Sequence, residues 1–371
     1  MRPVALPIPV PTAGMITMFI IAAVLIYLAI KKEYEPALLL PIGFGALLGN
    51  LPNSPLNQPD GLLYILNEIG IKTEIFPLFI FIGIGALMDF RPLLSQPIFA
   101  LMGAAGQFGI FATLILATAV GFPLREASSI AIIGAIDGPT SIYVSSLLAP
   151  RLLAPIAVTA YSYMSLVPII QPPLMRLLTT KAERRIHMEY APRPVPRAGL
   201  LAFPLVVTVI IGMLVPASAP LVATLMLGNL LKESGVVQRL SDMAANELTN
   251  FATLFLGLTI GSLMQAASFL QKETLMILVL GLIAFALDTV FGLLFGKLLT
   301  VLSRGKINPL VGAAGISAFP MSGRLVQKIA QEEDFTNHVL MHAMGANTAG
   351  QLGSVIAGGI LLALVTAYLG G

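Results

Sequence analysis

One acidic side chain sits where an apolar segment is interrupted: Asp137, in the run Gly134-Ala135-Ile136-Asp137-Gly138-Pro139-Thr140. Pro139 has no backbone N–H and so frees the carbonyl of Ala135, while the glycines let the chain turn. A carboxylate beside freed carbonyls and the hydroxyls of Thr140 and Ser141 offers hard oxygen ligands suited to a small cation. The same residues also suit an acid that caps the helical limb after it. An ionisable group inside an apolar span costs roughly 2.5–3.5 kcal/mol on insertion scales, and that cost favours a function for Asp137.

A second interrupted segment carries Asn308-Pro309, Gly312, Gly315, Ser317, Pro320 and Arg324. Pro320 frees the carbonyl of Ile316, next to Ser317. Ser317 reads as a site residue or as a small residue at a tight helix contact. Arg324 reads as a partner for an anion or as a side chain snorkelling to an interface. Asn347, Gln351 and Ser354 follow at i, i+4 and i+7, one polar stripe that is either a site wall or a helix seam. The cluster Tyr161-Ser162-Tyr163-Met164-Ser165 offers phenols that could donate a proton or be hydrogen-bonded in a core. Asp288 lies mid-span and fits a relay group and a packed acid equally. His338 and His342 share a helical face without a third ligand in view, so no transition-metal site is expected.

The elements that must position these residues are apolar helices. Of 371 residues, 57% are hydrophobic and 11% charged, against about 25% charged in soluble proteins. With a mean hydropathy of +0.90, most of the surface must meet lipid. Cysteine and tryptophan are absent, which excludes disulfides, thiolate nucleophiles and thiolate metal sites. The net charge of +3 sits largely in one loop and does not argue for nucleic acid. The first 14 residues show no cleavage-site pattern, so the first apolar run reads as a retained helix.

Apolar runs cover residues 15–30, 36–51, 76–90, 97–122, 152–170, 199–214, 219–231, 251–264, 275–302 and 339–369. Several fall short of the ~20 residues of a straight span and must tilt or be buried. Residues 61–75 and 236–248 are amphipathic and suit the interface. Residues 126–149 and 307–328 each have an apolar limb, a Gly/Pro break and a second limb, the pattern of a re-entrant helical hairpin. Arg176, Lys181, Arg184, Arg185, Arg193 and Arg197 crowd one loop, which should face the cytoplasm. Lys31, Lys32, Lys297, Arg304 and Lys306 fall on the same side when both interrupted stretches count as hairpins, with both termini outside.

Gly85-Ala86-Leu87-Met88 recurs as Gly261-Ser262-Leu263-Met264, each followed by a long span and then a hairpin, entered from opposite sides. The expected fold is therefore an all-α polytopic membrane protein, an inverted-repeat, transporter-like bundle with two re-entrant hairpins. Its expected divisions are 1–75, N-terminal helices with an interfacial segment; 76–175, the first repeat with its hairpin at 126–149; 176–198, a basic loop; 199–250, connecting helices; and 251–371, the second repeat with its hairpin at 307–328.

Asp137-Gly138-Pro139-Thr140, the run 160–164, Ile170-Gln171-Pro172-Pro173, Asn308-Pro309-Leu310-Val311-Gly312 through Arg324, and Met341-His342-Ala343-Met344-Gly345 resemble the beta subunit of the sodium-translocating, biotin-dependent decarboxylases. Members act on oxaloacetate, methylmalonyl-CoA or glutaconyl-CoA, and the resemblance runs from Leu38 to the C-terminus. It implies a subunit of the bacterial cytoplasmic membrane that decarboxylates carboxybiotin and couples this to Na⁺ export and proton uptake. It also implies a carboxyltransferase (alpha) subunit, a biotin carrier and a small membrane subunit as partners, with a homo-oligomer expected and no nucleic acid.

The family's functional positions fall on Asp137, Tyr163, Asn308, Gly312, Ser317, Arg324 and Asn347. Of these positions Tyr163, Ser317 and Arg324 are expected to serve catalysis, and Asp137, Asn308, Gly312, Ser317 and Asn347 to bind sodium. Ser141 and the run Ala346-Asn347-Thr348 depart mildly from the pattern of oxaloacetate members. The insert that some of those members carry after the second span is missing, which tilts the expectation toward an acyl-CoA substrate. A secondary Na⁺/H⁺ exchanger or carboxylate carrier would explain Asp137 and the repeat equally well from the physics alone. A chemically silent membrane anchor would leave both broken hairpins unexplained.

Overall fold

A computed structural model describes residues 10–189 and 194–369; Arg193, assigned to the basic loop, lies outside them. The described residues are helical, with no strand among them. The longer α-helices are α1 (Ala13–Lys31), α2 (Pro36–Gly49), α3 (Ile75–Leu87), α4 (Ile98–Gly106), α5 (Phe108–Ala119), α6 (Leu124–Ala131) and α7 (Gly138–Leu148). They continue as α8 (Leu153–Leu178), α9 (Arg197–Leu214), α10 (Ala219–Ser234), α11 (Thr249–Leu263), α12 (Lys272–Leu302), α13 (Met321–Glu333) and α14 (Leu340–Leu369). Each of the ten apolar runs becomes one of these helices, except that 97–122 divides at Gln107 into α4 and α5. Among the described residues five helical stretches, α4 and α5 together counting as one, are long and apolar enough to cross a membrane, and up to seven if two bent pairs each count once. Backbone groups in lipid must bond within their own segment, which is why the regular elements among the described residues are helices. Ile16, Ile20, Val24, Leu205, Val209 and Met213 are exposed on α1 and α9, as lipid-facing side chains should be.

Two close helix crossings frame the molecule. On α11, Gly261 lies against the Ile42 carbonyl of α2; on α10, Gly228 lies against the Ile82 carbonyl of α3. A side chain at either glycine would strike backbone, so small residues set both crossings. Asn50, ending α2, donates to the Met264 carbonyl at 2.7 Å, and Asn229 of α10 donates to the Met88 carbonyl at 3.4 Å. The two asparagines follow Leu47-Leu48-Gly49 and Met226-Leu227-Gly228, a short repeat that links α2 with α10.

The two interrupted stretches are each built of two limbs. In the first, α6 and a 3-10 turn (Ile132–Ala135) lead to the break at Asp137, and α7 leads away. Arg151, just past α7, pairs with Glu126 at the start of α6 at 2.6 Å, so the two ends lie side by side. In the second, a 3-10 segment (Pro309–Gly315) leads to the break at residues 316–320, and α13 leads away. Asn308 donates to the Arg184 and Ile186 carbonyls at 3.0 and 2.9 Å, while Arg184 pairs with Glu333 at the far end of α13 at 2.6 Å. Both ends of this stretch thus meet the basic loop. His187 and Thr336 hold the neighbouring Asp334 carboxyl down to about 2 by hydrogen bonding. Lys297, late in α12, reaches Glu183 at 3.4 Å, which puts that end of α12 beside the same loop.

Candidate functional site

The two breaks meet. The Ala135 carbonyl, which Pro139 cannot serve, accepts the backbone N–H of Ser317 at 3.1 Å. The Ile316 carbonyl, freed by Pro320, accepts the Asn347 amide at 2.6 Å, and the same amide reaches the Ala314 carbonyl at 3.1 Å. Each carbonyl that proline leaves open is therefore taken by a neighbouring element. Two carbonyls of the 3-10 segment that leads into the second break are met by buried amides. Gln107 donates to Gly315 at 3.1 Å, and Gln171 donates to Ala313 at 3.0 Å. Ser322 closes the set, its single hydroxyl proton shared between the Gln171 side-chain oxygen at 2.9 Å and the Ala313 carbonyl at 3.0 Å. An irregular backbone inside a membrane protein is tolerated when every polar group is met in this way.

Asp137 begins α7 and is buried. One carboxylate oxygen accepts the Thr140 N–H at 3.2 Å, the helix-capping contact. The other accepts the Thr140 hydroxyl at 2.8 Å, the Gln351 amide at 2.7 Å and the Ser354 hydroxyl at 2.7 Å. Two members of the polar stripe on α14 thus face the acid, and the third, Asn347, faces the other break. Ser317 donates to the Gly350 carbonyl at 3.2 Å and fastens the second break to the same helix.

A cavity of about 520 Å³ opens against this junction, lined by Asp137, Ser317, Arg324, Gln351 and Tyr161 among others. Arg324 makes no ion pair or side-chain hydrogen bond among the described residues, so its guanidinium is available to a ligand. Tyr161 packs its ring on Gly138, and its buried hydroxyl has no hydrogen-bond partner. The Asn347 side-chain oxygen is likewise buried without a partner. Oxygens of this kind suit a cation that prefers hard ligands.

The other predicted residues lie elsewhere. Tyr163 does not line the cavity; its hydroxyl donates to the Leu278 carbonyl of α12. Asn308 caps the first limb of the second break through the Leu310 N–H at 3.0 Å, beside the basic loop. Gly312 packs against Gly292 and Gly296 of α12, where a side chain would strike backbone. Asp288 is wedged between Gly109 of α5 and Gly134 at the first break, with the Gly109 and Ile110 N–H groups nearest and no well-formed hydrogen bond. His342 is buried edge-on to Phe99, with ring centroids 5.8 Å apart. No cluster of three His, Cys, Asp or Glu side chains occurs among the described residues.

Gln107, Glu35 and Asn250 were missed in the sequence. A lone glutamine inside an apolar run was the available signal for Gln107. Nothing in the sequence around Glu35 or Asn250 sets either residue apart.

Residues 14–365 match the family model described as the Na⁺-transporting oxaloacetate decarboxylase beta subunit. The chain is 50% identical to methylmalonyl-CoA decarboxylase subunit beta of Propionigenium modestum over 376 aligned positions, covering 95% of each chain. It is 49% identical to glutaconyl-CoA decarboxylase subunit beta of Acidaminococcus fermentans over 354 positions, covering 95% of this chain and 94% of the relative. The oxaloacetate decarboxylase beta chain of Klebsiella pneumoniae is 44% identical over 416 positions, covering 96% of each. Identity at this level along nearly the whole length, on a bundle of apolar helices, leaves one assignment: the chain belongs to the beta-subunit family of the Na⁺-transporting decarboxylases and is a multi-pass membrane subunit of such an enzyme.

Proposed function

We propose that this subunit decarboxylates carboxybiotin in the cavity at the two breaks and uses that step to drive Na⁺ export with proton uptake. The observation that carries the reading is the convergence of Asp137, Ser317 and an unpaired Arg324 on one cavity. Arg324 orients the carboxylate by charge-assisted hydrogen bonding. A site with little bulk water favours the charge-dispersed transition state over the localised carboxylate. The N–CO₂ bond breaks to give CO₂ and a ureido nitrogen anion, which takes up one proton. Ser317 and the Tyr161 phenol, which line the cavity, are the relay hydroxyls of this proposal, and Tyr163, turned to the Leu278 carbonyl, acts only from behind that wall. Sodium is held by Asp137 and Ser317 with the unpartnered Asn347 oxygen, while Asn308 and Gly312 shape the limb that carries the second break. Exporting one charge against 100 mV costs about 2.3 kcal/mol.

The architecture we propose is an inverted repeat with two re-entrant hairpins. The Arg151–Glu126 pair supports the first hairpin, and the shared attachment of Asn308 and Glu333 to the basic loop supports the second. The reciprocal crossings of α2 with α11 and α3 with α10 support a repeat longer than 76–175 and 251–371, one that also takes in 13–49 and 197–234.

In the cell a carboxyltransferase subunit selects the acid and a carrier delivers carboxybiotin, with a small membrane subunit completing the assembly. An acyl-CoA is the substrate class favoured. Alignments to the two acyl-CoA relatives need 376 and 354 positions, whereas the Klebsiella oxaloacetate relative needs 416 for the same share of this chain.

Purification of the tagged subunit from its native membrane should bring down a biotinylated protein detectable with streptavidin. Its absence under conditions that preserve membrane complexes argues for a free-standing exchanger. For topology, single cysteines in this cysteine-free chain should be labelled by an impermeant reagent from outside at residue 53 and only from inside at residue 181. Arg184 and Ser218 are buried and make poor reporters, whereas Lys181 is exposed. Labelling of residue 181 from outside in intact cells overturns the orientation.

A further inference from the structure

Glu35 has no local explanation. It stands at the start of α2 with a left-handed backbone (φ 37°), which glycine adopts more easily, and its side chain makes no capping hydrogen bond. It forms no ion pair or side-chain hydrogen bond among the described residues. Glu35 is half-buried and lines the 520 Å³ cavity and an adjoining one of about 310 Å³, and Arg324 lines both. Burial raises the Glu35 carboxyl above its ordinary range, since no protein donor compensates for lost water. Asn250, on α11, lines the larger cavity and also lacks a side-chain partner among the described residues.

The cavity therefore holds an unpaired cation from α13, an unpaired acid from the start of α2 and an unpaired amide from α11. The head group of carboxybiotin has a carboxylate on one ureido nitrogen, an N–H on the other, and a carbonyl between them. The carboxylate must turn toward Arg324 and away from Glu35, and the N–H needs an acceptor. Resting on the function proposed above, we infer that Glu35 accepts the hydrogen bond of the unsubstituted ureido N–H while Asn250 donates to the ureido oxygen. Together they fix which end of the ring faces Arg324. The N-terminal helix pair then supplies substrate recognition, not only a scaffold.

The test uses the purified full-length subunit with biotin methyl ester and with its derivative methylated on the nitrogen that carboxybiotin leaves unsubstituted. By isothermal titration the wild type should prefer the parent by about 10-fold or more, the scale of one hydrogen bond to a charged group. Glu35→Leu should lose that preference, and Glu35→Gln, which keeps a carbonyl acceptor, should retain part of it. Glu35→Gly suits the left-handed backbone and should match Glu35→Leu, which separates lost recognition from misfolding. In turnover, Glu35→Leu should raise KM for carboxybiotin by about 10-fold with kcat little changed. Full discrimination in both Glu35→Leu and Glu35→Gly overturns the inference alone. A wild-type subunit that never decarboxylates carboxybiotin instead overturns the function beneath it.

Discussion

Replacing Asp137 with asparagine is expected to lower sodium-dependent turnover by about 100-fold or more, the scale set by charge-assisted hydrogen bonding to one buried group. The protein should remain folded. Asparagine caps helices about as well as aspartate, so the Thr140 N–H keeps its acceptor and α7 keeps its start. What changes is the other oxygen, which accepts from Thr140, Gln351 and Ser354. An amide there loses the charge that would hold a cation and can present N–H groups to existing donors. Turnover measured against sodium concentration, with a melting curve on the same preparation, separates the two effects. Near-normal sodium-coupled turnover in Asp137→Asn would make the carboxylate a helix cap and nothing more.

Arg324→Ala is the second large effect, and it should fall on substrate instead of sodium. Loss of a charge-assisted contact to the carboxylate predicts a rise of about 10–100-fold in KM for carboxybiotin. The sodium concentration for half-maximal rate should stay where it was. Because Arg324 is exposed and makes no internal pair, its removal leaves no group unsatisfied, and stability should change by less than about 0.5 kcal/mol. Initial rates over a grid of carboxybiotin and sodium concentrations give both quantities. An unchanged KM returns Arg324 to the role of a side chain snorkelling to the interface.

Most of the helical plan was legible because lipid exposure forces long apolar runs, and each of the ten runs became helix. The break at Asp137 was legible for a specific reason: proline and glycine inside an apolar run, with a carboxylate between them, leave few structural options. The destination of the freed carbonyls was not legible. Ala135 finds Ser317 and Ile316 finds Asn347 across long sequence separations that no local pattern encodes. Residue type also could not distinguish Tyr161 from Tyr163. Two positions apart on α8, they point to different neighbours, Gly138 in the cavity wall and the Leu278 carbonyl. The role of Gln107 was not legible either, because its position in an apolar run gives no indication of what it bonds. Its amide matters only once the second break packs beside it.

The central claim, that carboxybiotin loses CO₂ within this chain and sodium completes the site, is tested most directly by the subunit reconstituted alone in lipid vesicles. Supplied with free carboxybiotin, it should accelerate CO₂ release with a saturable dependence on sodium, and potassium should not substitute. Sodium should cross the vesicle membrane during that turnover. If the reconstituted subunit carries sodium but leaves carboxybiotin untouched, and the partner subunits decarboxylate it without this chain, the chemistry lies elsewhere and the chain is a sodium carrier.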